Sequence, residues 1–82
     1  MNLDFDPHAL DRMRRRQIPR IAVYHLVAEY DRRVDRDDAR TDYFGMWEGR
    51  EILVVLEWED EEEMSGYVIT VIDRDVRRRG RR

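Results

Sequence analysis

The sequence predicts an α+β domain of order (β)ααβββ, with two helices packed on one face of a small antiparallel sheet. Three observations carry this. Apolar residues recur at helical spacing from Pro7 to about Asp31, interrupted once at Ile18-Pro19. From Arg40 onward the period becomes two. Glu48-Gly49 then separates two such runs, as a two-residue hairpin loop does.

Asn2 to Phe5 has the composition of a short strand. Asp6-Pro7 starts the first helix: the carboxylate accepts from free backbone N–H groups, and proline fits the first helical position. This helix should run to Arg16 or Gln17, with Ala9, Leu10 and Met13 as its apolar stripe. The residue before a proline avoids the helical region, so Ile18 ends it. The second helix should extend from Pro19 to about Asp31, with Val23, Leu26, Val27 and Tyr30 facing the core and Ile21, Tyr24 and Ala28 beside them. Arg32 to Asp38 reads as a charged connection. In the hairpin of Arg40–Trp47 with Arg50–Trp58, Tyr43 should oppose Val54 and Thr41 should oppose Leu56. Ile52, Val54, Leu56 and Trp58 then share the core side with Tyr43 and Trp47. Leu53, Val55, Phe44 and Met46 fall on the other side, which is too apolar to be left wholly to water. The central strand should be Ile52–Trp58, because that run is apolar on both faces. Asp60 to Gly66 reads as an acidic loop, Tyr67–Ile72 as the third long strand, and Arg74 to Arg82 as a disordered tail. Residues 1–73 then form a single domain.

With 82 residues, the chain has room for one small core. There is no cysteine, which excludes disulfides, thiolate metal sites and cysteine nucleophiles. The opening MNLDFDPH has no apolar stretch of the secretory kind, and the longest apolar run is Ile52–Leu56. Together these predict a cytoplasmic protein without a membrane span. All sixteen basic residues are arginine, and the net charge is −3. That charge is unevenly placed. Glu57 to Glu63 holds six acids and no base, whereas the first helix and Arg74 to Arg82 are rich in arginine. Basic patches on a near-neutral body suit a polyanion.

The chemistry concentrates on the first helix. His8, Arg12, Arg15 and Arg16 stand at i, i+4, i+7 and i+8, along one side and apart from the apolar stripe. Arginine forks hold a phosphate in bidentate fashion, and an imidazole moves a proton near neutral pH. His8, Arg12 and Arg16 are therefore the candidate catalytic set for metal-independent RNA cleavage, with His8 as base or acid and the two arginines as charge stabilisers. Arg15, Arg50, Thr70 and Tyr43 are candidate substrate contacts, Tyr43 by stacking on a base. The same residues have structural readings: a solvated helix face, a core aromatic for Tyr43 and an ordinary strand threonine for Thr70. His25 reads as a surface residue. No metal site and no cofactor are expected, since His8 and His25 do not converge with a third ligand and no glycine-rich phosphate loop precedes a helix.

His8-Ala9-x-x-Arg12-Met13-x-x-Arg16-x-Ile18, Arg40-Thr41-x-Tyr43-x-Gly45, Gly49-Arg50 with Leu53-Val54-Val55, and Val68-Ile69-Thr70 together resemble a bacterial family of short domains of unknown function. That family is similar to BrnT-type toxins and more distantly to the RelE/ParE superfamily. The resemblance spans residues 4 to 73. It implies a RelE-like fold and a toxin–antitoxin setting, with RNA as target and a cognate antitoxin or other small protein as partner. For ParE-like relatives it implies action on DNA gyrase instead. The alternative from another class is a non-catalytic protein-interaction module that uses the helix face and the second sheet face.

Overall fold

The computed structural model describes residues 1–75. Its elements are β1 (Asn2–Phe5), α1 (Pro7–Arg16), α2 (Arg20–Ala28), β2 (Arg32–Asp35), β3 (Arg40–Trp47), β4 (Arg50–Asp60) and β5 (Ser65–Asp73). They form one five-stranded sheet of order β1-β5-β4-β3-β2, with both helices on one face. The α+β class is as expected, and β4 is the central strand. The hairpin register is also as expected, with Trp47 opposite Arg50, Tyr43 opposite Val54 and Thr41 opposite Leu56.

Five expectations are corrected. The sheet is mixed, because β1 lies parallel to β5. Arg32 to Asp35 is a strand, paired antiparallel with β3 from Phe44 to Thr41. A four-residue charged edge strand resists pairing with other chains, which is why it reads as a loop by composition. Helix α2 stops at Ala28, so Tyr30 lies beyond it and is 43% exposed. The acidic loop is shorter than Asp60–Gly66: β4 continues to Asp60 and β5 begins at Ser65, leaving Glu61–Met64 as the turn. Finally, Arg74 and Asp75 are docked. The Arg74 backbone N–H donates to the Glu51 carbonyl at 2.9 Å, and the Asp75 carboxylate accepts from the Glu51 N–H at 3.0 Å. The rest of the expected tail, residues 76–82, lies outside the described residues.

Local chemistry sets both ends of α1. The Asp6 carboxylate accepts from the His8 N–H at 2.8 Å, and its second oxygen accepts from the Tyr67 hydroxyl at 2.7 Å. These two bonds hold the Asp6 carboxyl below its usual range and raise the Tyr67 phenol. At the other end Gln17 takes a left-handed conformation, which lets the Ile18 N–H donate to the Met13 carbonyl at 2.8 Å. Ile18 is thereby turned into the core. Helix α1 packs on β5 and α2 on β3 and β4. Gly45 permits the second contact, since a Cβ there would collide with the buried Leu26 side chain.

The core consists of Leu3, Ala9, Met13, Ile18, Ala22, Val23, Leu26, Val27, Tyr43, Ile52, Val54, Leu56, Val68 and Val71. Its sheet members are those on the expected inner side of the hairpin, joined by β5. Trp47 and Trp58 are half-buried against it. Among the described residues, no helix is long and apolar enough to cross a membrane.

Candidate functional site

The exposed side of α1 carries a shallow groove of about 330 Å³, lined by His8, Asp11, Arg12, Arg15 and Arg16. Helical spacing makes the groove, because these residues are one and two turns apart on a surface whose other side is buried through Ala9 and Met13. Within it the Arg12 Nε–H donates to His8 Nε2 at 3.1 Å. In this contact Nε2 is the acceptor, so its lone pair is engaged by Arg12.

The arginines are not equivalent. Asp11 pairs with Arg14 at 2.7 Å and with Arg15 at 3.0 Å, at i+3 and i+4. Arg15 is thus partly neutralised. Arg12 and Arg16 have no carboxylate partner among the described residues. Asp11 is the member of the site that the sequence reading missed, although its spacing to two arginines was the signal for it. The last turn of α1 holds Arg14, Arg15 and Arg16, where cations also complement the carbonyl end of the helix dipole.

The remaining candidates do not gather at the groove. Arg50 lies beneath the C-terminus of α1. Its guanidinium donates to the Arg16 carbonyl at 2.6 Å, the Gln17 carbonyl at 3.1 Å and the Asp73 carboxylate at 3.2 Å. It therefore fastens the helix to the sheet with donors that a substrate phosphate would need. Tyr43 is a core residue, 1% exposed, and burial raises its phenol above the ordinary tyrosine value. Thr70 stands opposite Val55, next to the inward Val71, and so faces away from both helices. His25 is exposed, 3.7 Å from Glu29 and tilted against Trp47 at 5.8 Å. Among the described residues no three His, Cys, Asp or Glu side chains converge as metal ligands.

A second cluster lies at the other end of the molecule. Arg33 pairs with Asp35 at 2.8 Å and Glu61 at 3.0 Å, with its guanidinium 5.5 Å from the centre of the Tyr43 ring. Asp35 also accepts from the Thr41 hydroxyl at 3.3 Å. These partners raise the Arg33 pKa further and fix the charge there. The cluster ties β2 and the acidic turn to the core; it is held together by its own opposite charges.

Compared with protein-family models, curated proteins and solved structures, the chain gives no match.

Proposed function

We propose that this chain is a small RNA-binding protein of the RelE/BrnT toxin type, which grips the phosphodiester backbone along the outer side of α1. One observation supports this above the others: Arg12 and Arg16 line one groove beside His8, and neither has a carboxylate partner among the described residues. An unneutralised pair of guanidinium forks on a rigid helix has the chemistry of a phosphate clamp. The α+β arrangement and the His8 to Ile18 motif support the toxin-type reading. In that setting the partner would be a small antitoxin whose acidic surface covers the same arginines.

The contact of His8 with Arg12 favours a second step, cleavage of the bound strand. Once substrate phosphate draws Arg12 away, the Nε2 lone pair of His8 is released and can take the 2′-hydroxyl proton. The 2′-oxygen then attacks phosphorus, the bond to the 5′-oxygen breaks as that oxygen takes up a proton from water, and a 2′,3′-cyclic phosphate forms, with Arg12 and Arg16 countering the added negative charge.

Fluorescence anisotropy with a single-stranded RNA tests the clamp. Arg12→Gln with Arg16→Gln should lower the melting temperature little and weaken binding. The slope of log K against log salt should fall by about 1.4, on the basis of roughly 0.7 per phosphate contact on a single strand. Unchanged affinity and slope would return both residues to a solvated surface. The same RNA, incubated in EDTA, reports cleavage. His8→Gln should slow it by about 10²–10⁴-fold, the range for a positioned acid or base. Wild-type cleavage by His8→Gln would remove the proton-transfer role. RNA left intact by the wild type would remove the cleavage step and keep the clamp.

A further inference from the structure

We infer that the sheet face opposite the helices is a self-association surface, and that a second copy of this chain covers it. Both helices pack on the other side of the sheet, and no described element lies over this one. By register, Val34, Phe44, Met46, Leu53, Val55 and Ile72 point to it. Met46 is 50% exposed and Val34 38%. Phe44 sits between two cations, with the Arg32 guanidinium 4.0 Å and that of Arg74 5.3 Å from its ring centre. These arginines lie along the apolar surface without closing it.

Charge identifies the occupant. On this face Arg36 pairs with Asp42 at 2.6 Å and Arg74 with Glu51 at 3.3 Å, while Arg40 stands opposite Glu57. Cations and carboxylates alternate in near balance, so two copies of the face do not repel each other. The other large surfaces lack that property: the outer side of α1 is basic and the turn from β4 to β5 is acidic. A polyanion gains little from a balanced face, whereas an identical face is complementary to it.

Area agrees with this choice. Five strands about 4.8 Å apart, averaging about seven residues at about 3.3 Å each, give a footprint of roughly 500–600 Å². Two such faces bury about 1,000–1,200 Å² in total, the lower bound for a specific interface. Sheets pack this way about 10 Å apart, with strands within about 30° of one another. Pairing through this face leaves both α1 grooves outward, so the inference is independent of RNA binding.

Sedimentation of the full, nuclease-treated chain tests it. The wild type should have twice the chain mass. Leu53→Glu, at the centre of the face, and Met46→Glu, at its half-exposed rim, should each have the mass of one chain with an unchanged far-UV spectrum. Met46→Glu decides alone if Leu53→Glu does not fold. Arg12→Gln with Arg16→Gln should remain dimeric, and raised salt should not dissociate the pair. A wild type of single-chain mass up to ~100 µM, well above a micromolar Kd, overturns the proposal. So does a dimer that Met46→Glu leaves intact, or that salt or the α1 substitutions dissociate. Loss of RNA binding by Met46→Glu in a monomeric protein would assign the face to nucleic acid instead.

Discussion

Arg50→Met should lower stability by about 1–3 kcal/mol, the cost of leaving buried acceptors without their donor. The Asp73 side chain is 1% exposed and that of Arg50 19%. Without the guanidinium, Asp73 loses the donor at 3.2 Å and keeps the Asp75 N–H at 2.9 Å. The carbonyls of Arg16 and Gln17 lose their donors at the same time, at the end of α1 where orphan acceptors accumulate. Arg50→Lys should recover only part of the loss, because one ammonium cannot span two carbonyls and a carboxylate in the planar geometry that arginine supplies. Chemical denaturation of the three proteins measures this directly. RNA affinity per folded molecule should stay the same in all three, since these guanidinium donors are already committed within the fold. A variant with wild-type stability and weakened RNA binding would restore Arg50 to the substrate surface.

Arg50 also shows where a sequence reading stops. Its nearness to the arginine-rich helix is legible, because α1 must end near the hairpin loop if it crosses the sheet. Which groups it meets is not, since they depend on the last carbonyls of α1 settling over the start of β4. Elements with strong local signals were read correctly. Asp6-Pro7 fixes the start of α1 through its own cap, and Glu48-Gly49 sets the hairpin register to the residue. Elements decided by distant partners were not. Asn2–Phe5 is a strand by composition, yet four residues do not say that their neighbour is β5 or that the pairing is parallel. Arg32–Asp35 carries charge on three of its four residues because it is an edge, so propensity conceals it. The groove followed from helical spacing alone, and so did its arginines. Asp11 is a single acid within a run of cations, and it separates Arg15, which it pairs, from Arg12 and Arg16, which have no carboxylate partner among the described residues.

Tyr43→Ala should cost about 3–5 kcal/mol, as for other large aromatic side chains removed from a core. Its ring lies 5.3 Å from that of Tyr30 and meets Trp58 edge-on at 6.5 Å, with Val54 opposite on β4. Truncation leaves a cavity bounded by the sheet on one side and by Tyr30 and Trp58 on others, where little can move in to fill it. It also removes the ring over which Arg33 is held, at the point that joins β2 and the acidic turn to the core. Tyr43→Phe keeps the ring and should retain most of the stability. It should also change the alkaline limb of the stability curve. Burial raises the Tyr43 phenol in the folded state, so the folded protein holds that proton more tightly than the unfolded chain does. The resulting stability is fully present below the unfolded tyrosine value of about 10 and is lost as pH rises through the folded one. Tyr43→Phe should therefore flatten the fall above pH ~10. It should not abolish it, because Tyr67 is raised too, by its bond to Asp6. Urea midpoints across this range, together with RNA binding by Tyr43→Ala at a temperature where it remains folded, separate the two roles open to this residue. Lost stability with retained binding places it in the core alone. Retained stability with weakened binding would mean that the ring reaches a nucleobase, and the packing around Tyr30, Trp58 and Arg33 would then have to open to admit it.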